Sequence, residues 1–394
     1  MIDLARVRAR FPALAETGPT GEPLVHADAP GGTQAVDTAI DAMAAHLRRG
    51  TANSHGPFPV SQRVDRLVEQ VRDRVGRFFG SEPESVVFGP NMTTLTMHLA
   101  RALTSHLGPG DAIVCTRLDH DANVAPWLSL AERTGASVRF VELDTASGRL
   151  DPDSLEWAIR DDTRLVAFPG ASNALGTVVD PLPLVDAARA VGARTFMDAV
   201  HLAPHAAVDR RALGIDVVAC SAYKFFGPHA GILLAEPELL AELSPEQLRP
   251  APRHGPDRWQ TGTANFEAIA GIGGAVDYLD ELGIEHIADH EAALSQRFLA
   301  GVGLLGHVRL HGPPTAQGRT PTFAVTVERL APAQVATAFA AAGINVWHGH
   351  YYAVEPMRAL GLLEHGGAVR IGFVHYHGED DVDRVLEVLA DLAR

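Results

Sequence analysis

Lysine is almost absent from this chain of 394 residues. Of its 33 basic residues, 32 are arginine and one is lysine, Lys224. Arginine replaces lysine on surfaces, in ion pairs and as a phosphate contact. It cannot replace lysine where a neutral amine must attack a carbonyl, because guanidinium stays protonated. The lone exception is therefore a candidate for chemistry. Cysteine is scarce too: Cys115 and Cys220 alone exclude a disulfide framework or a multi-cysteine metal site. They make a reducing, cytoplasmic setting the default expectation. No run of 18 apolar residues exists, which excludes a transmembrane helix. The stretch Met1 to Pro19 holds Arg6, Arg8 and Arg10 without an apolar segment after them, so no secretory signal is expected. Excess positive charge is missing as well. The formal net charge of −15 argues against a nucleic-acid partner and against a polybasic membrane surface.

What remains is the profile of a soluble globular protein, with 46% hydrophobic and 21% charged residues. Such a chain is long enough to bury a sizeable core. Internal repeats and low-complexity tracts are lacking. Short apolar runs predict strands at Ser85–Gly89, Ala112–Thr116, Val138–Leu143, Arg164–Phe168, Thr195–Asp198, Val217–Ser221 and Gly231–Ala235. Helical patterns lie between them at Gln62–Phe79, Thr93–Leu107, Val124–Thr134, Pro152–Arg160 and Pro183–Val191. This alternation predicts an α/β fold with a mostly parallel central sheet and helices on both faces. From about Ala264 the texture changes. Helices at Phe266–Leu282 and His286–Val302 precede a strand (Thr322–Val327), a helix (Pro332–Ala342), a strand (Val369–His375) and a helix (Glu379–Leu392). We read an N-terminal segment (1–20) packing with the small domain, a large domain (21–265) and a smaller C-terminal α+β domain (266–394). The Pro- and Arg-rich stretch Gln247–Trp259 reads as a surface loop.

Ligands of such sheets bind at the carboxyl ends of strands. Lys224 follows the apolar run Val217–Cys220, inside Ser221-Ala222-Tyr223-Lys224-Phe225-Phe226-Gly227-Pro228. Desolvation there would lower its pKa toward a nucleophilic amine, and a Schiff-base lysine is the obvious role. Asp198 ends another apolar strand, in Phe196-Met197-Asp198-Ala199-Val200-His201. A carboxylate so placed could pair with a protonated pyridine nitrogen, or simply serve a turn or cap. Asn91-Met92-Thr93-Thr94 follows a strand and opens a helix, which suits either an anion site or an ordinary N-cap.

Together these motifs resemble the class V aminotransferase group of fold type I pyridoxal phosphate (PLP) enzymes. The likeness is greatest to the cysteine-desulfurase-like branch. It runs from His26-Ala27-Asp28-Ala29-Pro30-Gly31-Gly32 to Val369-Arg370-Ile371-Gly372. Its most specific piece is Asp198-x-x-His201 followed by Ser221-x-x-Lys224-x-x-Gly227-Pro228. The resemblance implies that Lys224 carries the cofactor and that Asp198 holds the pyridine nitrogen. It implies that His201 lies near the ring's phenolic oxygen, that His120 stacks on the ring, and that Asn173 contacts ring oxygen and substrate. Thr93, Thr94 and Ser221 fall at phosphate positions, with Tyr223 where relatives often have His. Thr263, in Trp259-Gln260-Thr261-Gly262-Thr263, matches a loop that reaches the partner subunit's phosphate, which implies a homodimer. Arg370 matches the residue that grips the substrate's α-carboxylate. His55 falls in a loop that approaches the site in relatives.

The departures bear on the reaction. Tyr352 stands where desulfurases carry the cysteine that accepts sulfur, and tyrosine cannot form a persulfide. Cys115 and Cys220 read as core residues. Trp347 stands where an arginine is common, so the pocket loses a charge and gains an aromatic wall. His348, His350 and Tyr351 are expected to line the substrate pocket. The pairs His348-x-His350 and His375-x-His377 allow a metal geometrically, but PLP chemistry needs none and no metal is expected. Three outcomes start from an amino acid whose Cα proton is taken by Lys224. The first is C–S β-elimination from a cysteine S-conjugate, releasing thiol, pyruvate and ammonia, with Tyr352, His350 or His348 as the acid. The second is transamination, epimerisation or oxidative deamination of a specialised amino acid. The third, a non-catalytic binding role, predicts degenerate Lys, Asp or Arg positions, and none is degenerate.

Overall fold

The structure, a computed structural model, describes residues 2–19 and 21–393. Seven strands form the central sheet in the order 86–89, 231–235, 217–221, 194–198, 163–169, 112–116, 137–141. Neighbours pair in parallel except Gly231–Ala235, which runs antiparallel to both strands beside it. The inner strands Ala112–Thr116, Val217–Ser221 and Gly231–Ala235 are buried at every residue. Unbroken apolar runs are what burial on both faces demands. One expected strand divides: Ser137–Val141 stays in the sheet, while Leu143–Asp144 turns back on Arg149–Leu150 as a hairpin.

The C-terminal part builds a second, smaller sheet, all antiparallel, in the order 308–311, 322–327, 368–372, 347–349. The expected strand Val369–His375 ends at Gly372, and residues 373–375 leave the ladder. A separate apolar core lies under this sheet, with Phe298, Phe323, Val325, Phe339, Ile371 and Val385 at its centre. Val25 and Ala27 belong to the same cluster. Arg8 also reaches across, bonding Asp381 at 3.0 Å.

Helix Phe266–Leu282 packs on Asp37–Arg48, a helix not among those expected. Gly274 permits that approach: a Cβ there would lie 2.4 Å from the Thr38 carbonyl oxygen. The Thr38 hydroxyl instead donates to the Gly274 carbonyl at 2.8 Å. The stretch expected as a surface loop, Gln247–Trp259, is corrected at its end. Pro256–Trp259 is a 3-10 turn, and Trp259 is buried, with its indole N–H donating to the Leu240 carbonyl at 3.2 Å.

Candidate active site

A cavity of about 710 Å³ opens where the parallel strands end. Lys224, Asp198, His201, His120, Asn173, Thr93, Ser221, Tyr223, Trp347, His348, His350, Tyr351, Tyr352 and Arg370 all line it. Fourteen residues scattered over 278 positions thus meet at one place.

The floor is set by two neighbouring strands. Arg194–Asp198 and Val217–Ser221 pair in parallel, with Asp198 opposite Ala219. Their ends deliver a carboxylate and, one 3-10 turn later, the amine. Lys224 Nζ donates to the Pro30 carbonyl at 2.5 Å. Burial, aided by Arg370, pushes its pKa down to about 7, and the Asp198 charge opposes this. Asp198 is buried and accepts the Val200 N–H at 2.8 Å. Burial raises its carboxyl to about 6, against that hydrogen bond and Lys224.

His120 accepts the Ala122 N–H at Nδ1, 3.0 Å away. Burial first, then the charges of Lys224 and Arg370, push its pKa down to about 3, so it is a neutral ring with its proton on Nε2. The loop carrying it is pinned by a buried network. Asp119 accepts from the Thr116 N–H, the Thr116 hydroxyl and Asn123 Nδ2 at 2.9, 2.7 and 2.7 Å. His201 is buried, and its Nε2 meets the hydroxyls of Thr322 and Thr320 at 3.0 and 3.2 Å. Those threonines belong to the C-terminal part, so this histidine joins the two layers at the cavity.

At the third strand end, helix Met92–Ala102 begins. The Met92 N–H donates to Ser221 Oγ at 2.9 Å, and the Thr94 N–H to its N-cap Asn91 at 2.8 Å. Thr93, between them, faces the cavity. A helix N-terminus framed by two hydroxyls suits a phosphate. Thr94 is exposed and lies outside the cavity lining, and its N–H is capped by Asn91.

Arg370 closes the opposite wall. Its Nη1 donates to the Asn173 carbonyl at 3.0 Å, and its guanidinium lies 4.7 Å from the Tyr351 ring centre. Burial pushes its pKa down to about 10, and it stays charged at neutral pH. Its Nε and the Asn173 Oδ1 are buried without a partner. Such open valences in a buried site call for a ligand. Trp347 lies over Gly31, where a Cβ would sit 2.5 Å from the indole nitrogen.

The loop after strand Trp347–Gly349 holds two consecutive tyrosines in the left-handed region, Tyr351 (φ 50°) and Tyr352 (φ 57°). Each costs about 1–2 kcal/mol. The conformation is held by the Asp121 N–H to the Tyr352 carbonyl (2.6 Å), Asn173 Nδ2 to the Tyr351 carbonyl (3.0 Å) and the Tyr352 N–H to His350 Nδ1 (3.1 Å). The Tyr352 ring ends 5.7 Å from His120 and 5.9 Å from His350.

His55 does not reach the cavity. It lies with Thr263 on a separate groove of about 330 Å³. His375 is buried and bonded to the Tyr278 hydroxyl at 2.7 Å; His377 is buried as well. Among the described residues, no group of three His, Cys, Asp or Glu is placed to hold a metal. Sequence reasoning missed Asp121 and Met97, which also line the cavity. Asp121 follows His120 directly, so its place in the chain was the available signal.

The donor set fits pyridoxal phosphate: a buried amine with a lowered pKa, a buried carboxylate on the adjoining strand, a neutral imidazole, and a hydroxyl-framed helix end. The amine has a titration consequence for the cofactor-free protein. An unfolded chain keeps the Lys224 proton up to about 10.5; the folded chain loses it near about 7. Folding between those values releases a proton, so this group makes stability rise with pH across that window. Lys224→Met is expected to melt above the cofactor-free wild type at pH 7. Thermal scans at successive pH values should show the gap closing toward pH 10. A gap independent of pH would contradict the lowered pKa.

Comparison with known proteins gives the same picture. The Aminotransferase class-V family profile matches residues 25–385. A probable cysteine desulfurase of Streptomyces coelicolor is 30% identical over 99% of this chain and 97% of its own length. Probable cysteine desulfurase 1 of Mycobacterium leprae is 31% identical over the whole chain, which spans 66% of that relative. The apo structure of a cysteine desulfurase from Thermococcus onnurineus superposes with a TM-score of 0.93 at 27% identity, covering 100% of this chain and 98% of that one.

Proposed function

Because the chain belongs to the class V aminotransferase family and is a pyridoxal-phosphate enzyme, we propose that it cleaves the C–S bond of a cysteine S-conjugate by β-elimination, without a persulfide. One observation carries this reading. Both cysteines of the chain are fully buried in strands, and neither lines the cavity. Burial also pushes both thiols up, away from the reactive thiolate. The loop position facing the cofactor pocket is Tyr352.

Each residue then has a task. Arg370, with its unused Nε, and Asn173 bind the substrate α-carboxylate. Lys224 Nζ would carry the cofactor at rest and would remove the Cα proton of the bound amino acid. Bound pyridoxal phosphate supplies the electron sink. Asp198 would hold the pyridine nitrogen, His120 would cover the ring, His201 would lie by its phenolic oxygen, and Thr93, Ser221 and Tyr223 would hold the phosphate. The Cβ–S bond breaks with its electron pair on sulfur. His350 accepts the Tyr352 N–H at Nδ1, so its neutral form carries a proton on Nε2 that the departing thiolate can take. Tyr352 and His348 flank the same exit. The pair of subunits is expected to share sites through Thr263, with His55 on the same groove. The released 2-aminoacrylate takes up one water and gives pyruvate and ammonia, so thiol, pyruvate and ammonia form in equal amounts.

The test is a reaction set with L-cysteine, several S-substituted cysteines and L-alanine, in air and in excess. Pyruvate and thiol should accumulate one for one over many turnovers from a conjugate. A keto acid or aldehyde that still carries its sulfur would overturn the reading in favour of transamination or oxidative deamination. An inverted amino acid would favour epimerisation.

A further inference from the structure

The cavity holds a carboxylate that the chemistry above leaves idle. Asp121 lines it, at the start of the 3-10 turn that follows His120. Its backbone N–H donates to the Tyr352 carbonyl, and its own carbonyl accepts the Val124 N–H. Among the described residues, no hydrogen bond or ion pair reaches the carboxylate itself, whereas the cavity's other carboxylate, Asp198, is bonded to Val200. Burial and the neighbouring Glu355 push the Asp121 carboxyl up, and His350 opposes them. Glu355 is itself committed to Arg117 and Arg358. Its neighbours in the cavity are Tyr352, whose carbonyl accepts its N–H, and His350. Asp121 is half-buried, and the large apolar and aromatic groups exposed along the same lining are Trp347 (54%), Tyr352 (66%) and Met97 (42%).

The cavity is thus polarised. Its buried end carries Lys224 and Arg370, with Trp347 beside Arg370, and the stretch at Asp121 carries a carboxylate without a partner among the described residues and the exposed Tyr352 ring. A carboxylate with an aromatic ring attracts a cation and repels an anion. We propose that Asp121 is a specificity residue that selects amino acids whose group beyond Cβ is positively charged, such as a primary amine or a quaternary ammonium. The assignment rests on Arg370 anchoring the α-carboxylate, as proposed above.

The test uses holoenzyme and three ligands: S-(2-aminoethyl)-L-cysteine, its neutral analogue S-propyl-L-cysteine, and S-carboxymethyl-L-cysteine. Binding is read from the change in cofactor absorbance, which needs no turnover, and pyruvate is measured in parallel. The aminoethyl ligand should bind about tenfold tighter than the propyl one, and the carboxymethyl ligand weakest. Asp121→Asn should collapse that ratio. Equal affinities in the wild type would overturn the assignment, as would an Asp121→Asn variant that weakens all three ligands alike. If the charge ranking holds but no pyruvate forms, the elimination reading fails and the charge selection stands. Pyruvate from all three without a ranking supports elimination and overturns the charge selection.

Discussion

Lys224→Ala is expected to lower turnover by about four orders of magnitude, and Lys224→Arg to do no better. The reason is visible in the surroundings of one atom. Nζ is buried, has a single hydrogen bond among the described residues, to the Pro30 carbonyl, and has a pKa pushed down to about 7. Near pH 7 roughly half of it is an unprotonated amine, whereas an exposed lysine would be almost wholly charged. A guanidinium cannot reach that state. No neighbour can substitute, because the chain has no second lysine. Two measurements check this. Turnover with a conjugate substrate gives the rate loss. Borohydride reduction of the holoenzyme followed by peptide mapping gives the attachment point: one labelled peptide containing Lys224 in the wild type, none in either variant. Small primary amines added to the alanine variant should restore part of the lost rate. Turnover above about one per cent in that variant would mean that another group handles the Cα proton.

Much of this site was legible because its chemistry is tied to local pattern. Lys224 stood out by elimination from the composition. Asp198 and Ser221 end strands whose apolar residues form unbroken runs, so their place at the sheet's ligand-binding edge follows from the strands alone. What escaped was decided by contacts far away in sequence. Helix Asp37–Arg48 does space Ile40, Met43 and Leu47 as an apolar stripe, but Ala39 is its one buried residue, so the stripe does not face the core. The helix's packing rests on the missing side chain at Gly274. Strand Trp347–Gly349 has three residues, none buried, and exists through its pairing with Ala368–Arg370. Trp259 sits in a stretch whose prolines and arginines read as surface, and its burial depends on the Leu240 carbonyl. Asp121 is one residue from a recognised histidine. Its lack of a partner is a tertiary fact that no spacing records. At Thr94 the local fact is the cap: Asn91 already takes its N–H.

Tyr352→Cys is expected to convert the chain from one that never holds sulfur into one that does. With L-cysteine as substrate, wild-type protein should acquire no added sulfur atom and release no alanine. The variant should gain one sulfur atom per chain and release alanine. The argument is geometric. Position 352 lines the cavity, its ring lies 5.7 Å from His120, and its backbone is held by Asp121. The left-handed φ costs a cysteine about what it costs a tyrosine, 1–2 kcal/mol, so the loop has no reason to relax. The introduced thiol would stand beside His350, whose Nε2–H can hydrogen-bond the nucleophilic thiolate once this exposed position has given its proton to solvent. Cys115 and Cys220 cannot do this from inside their strands, where burial holds both as thiols. Intact-mass measurement before and after a reductant, with alanine counted in the same sample, decides it. Sulfur on Cys115 or Cys220 of the wild type would sink the proposal that this enzyme works without a persulfide. Sulfur on the variant alone would trace the difference between the two chemistries to one side chain at the end of a strained loop.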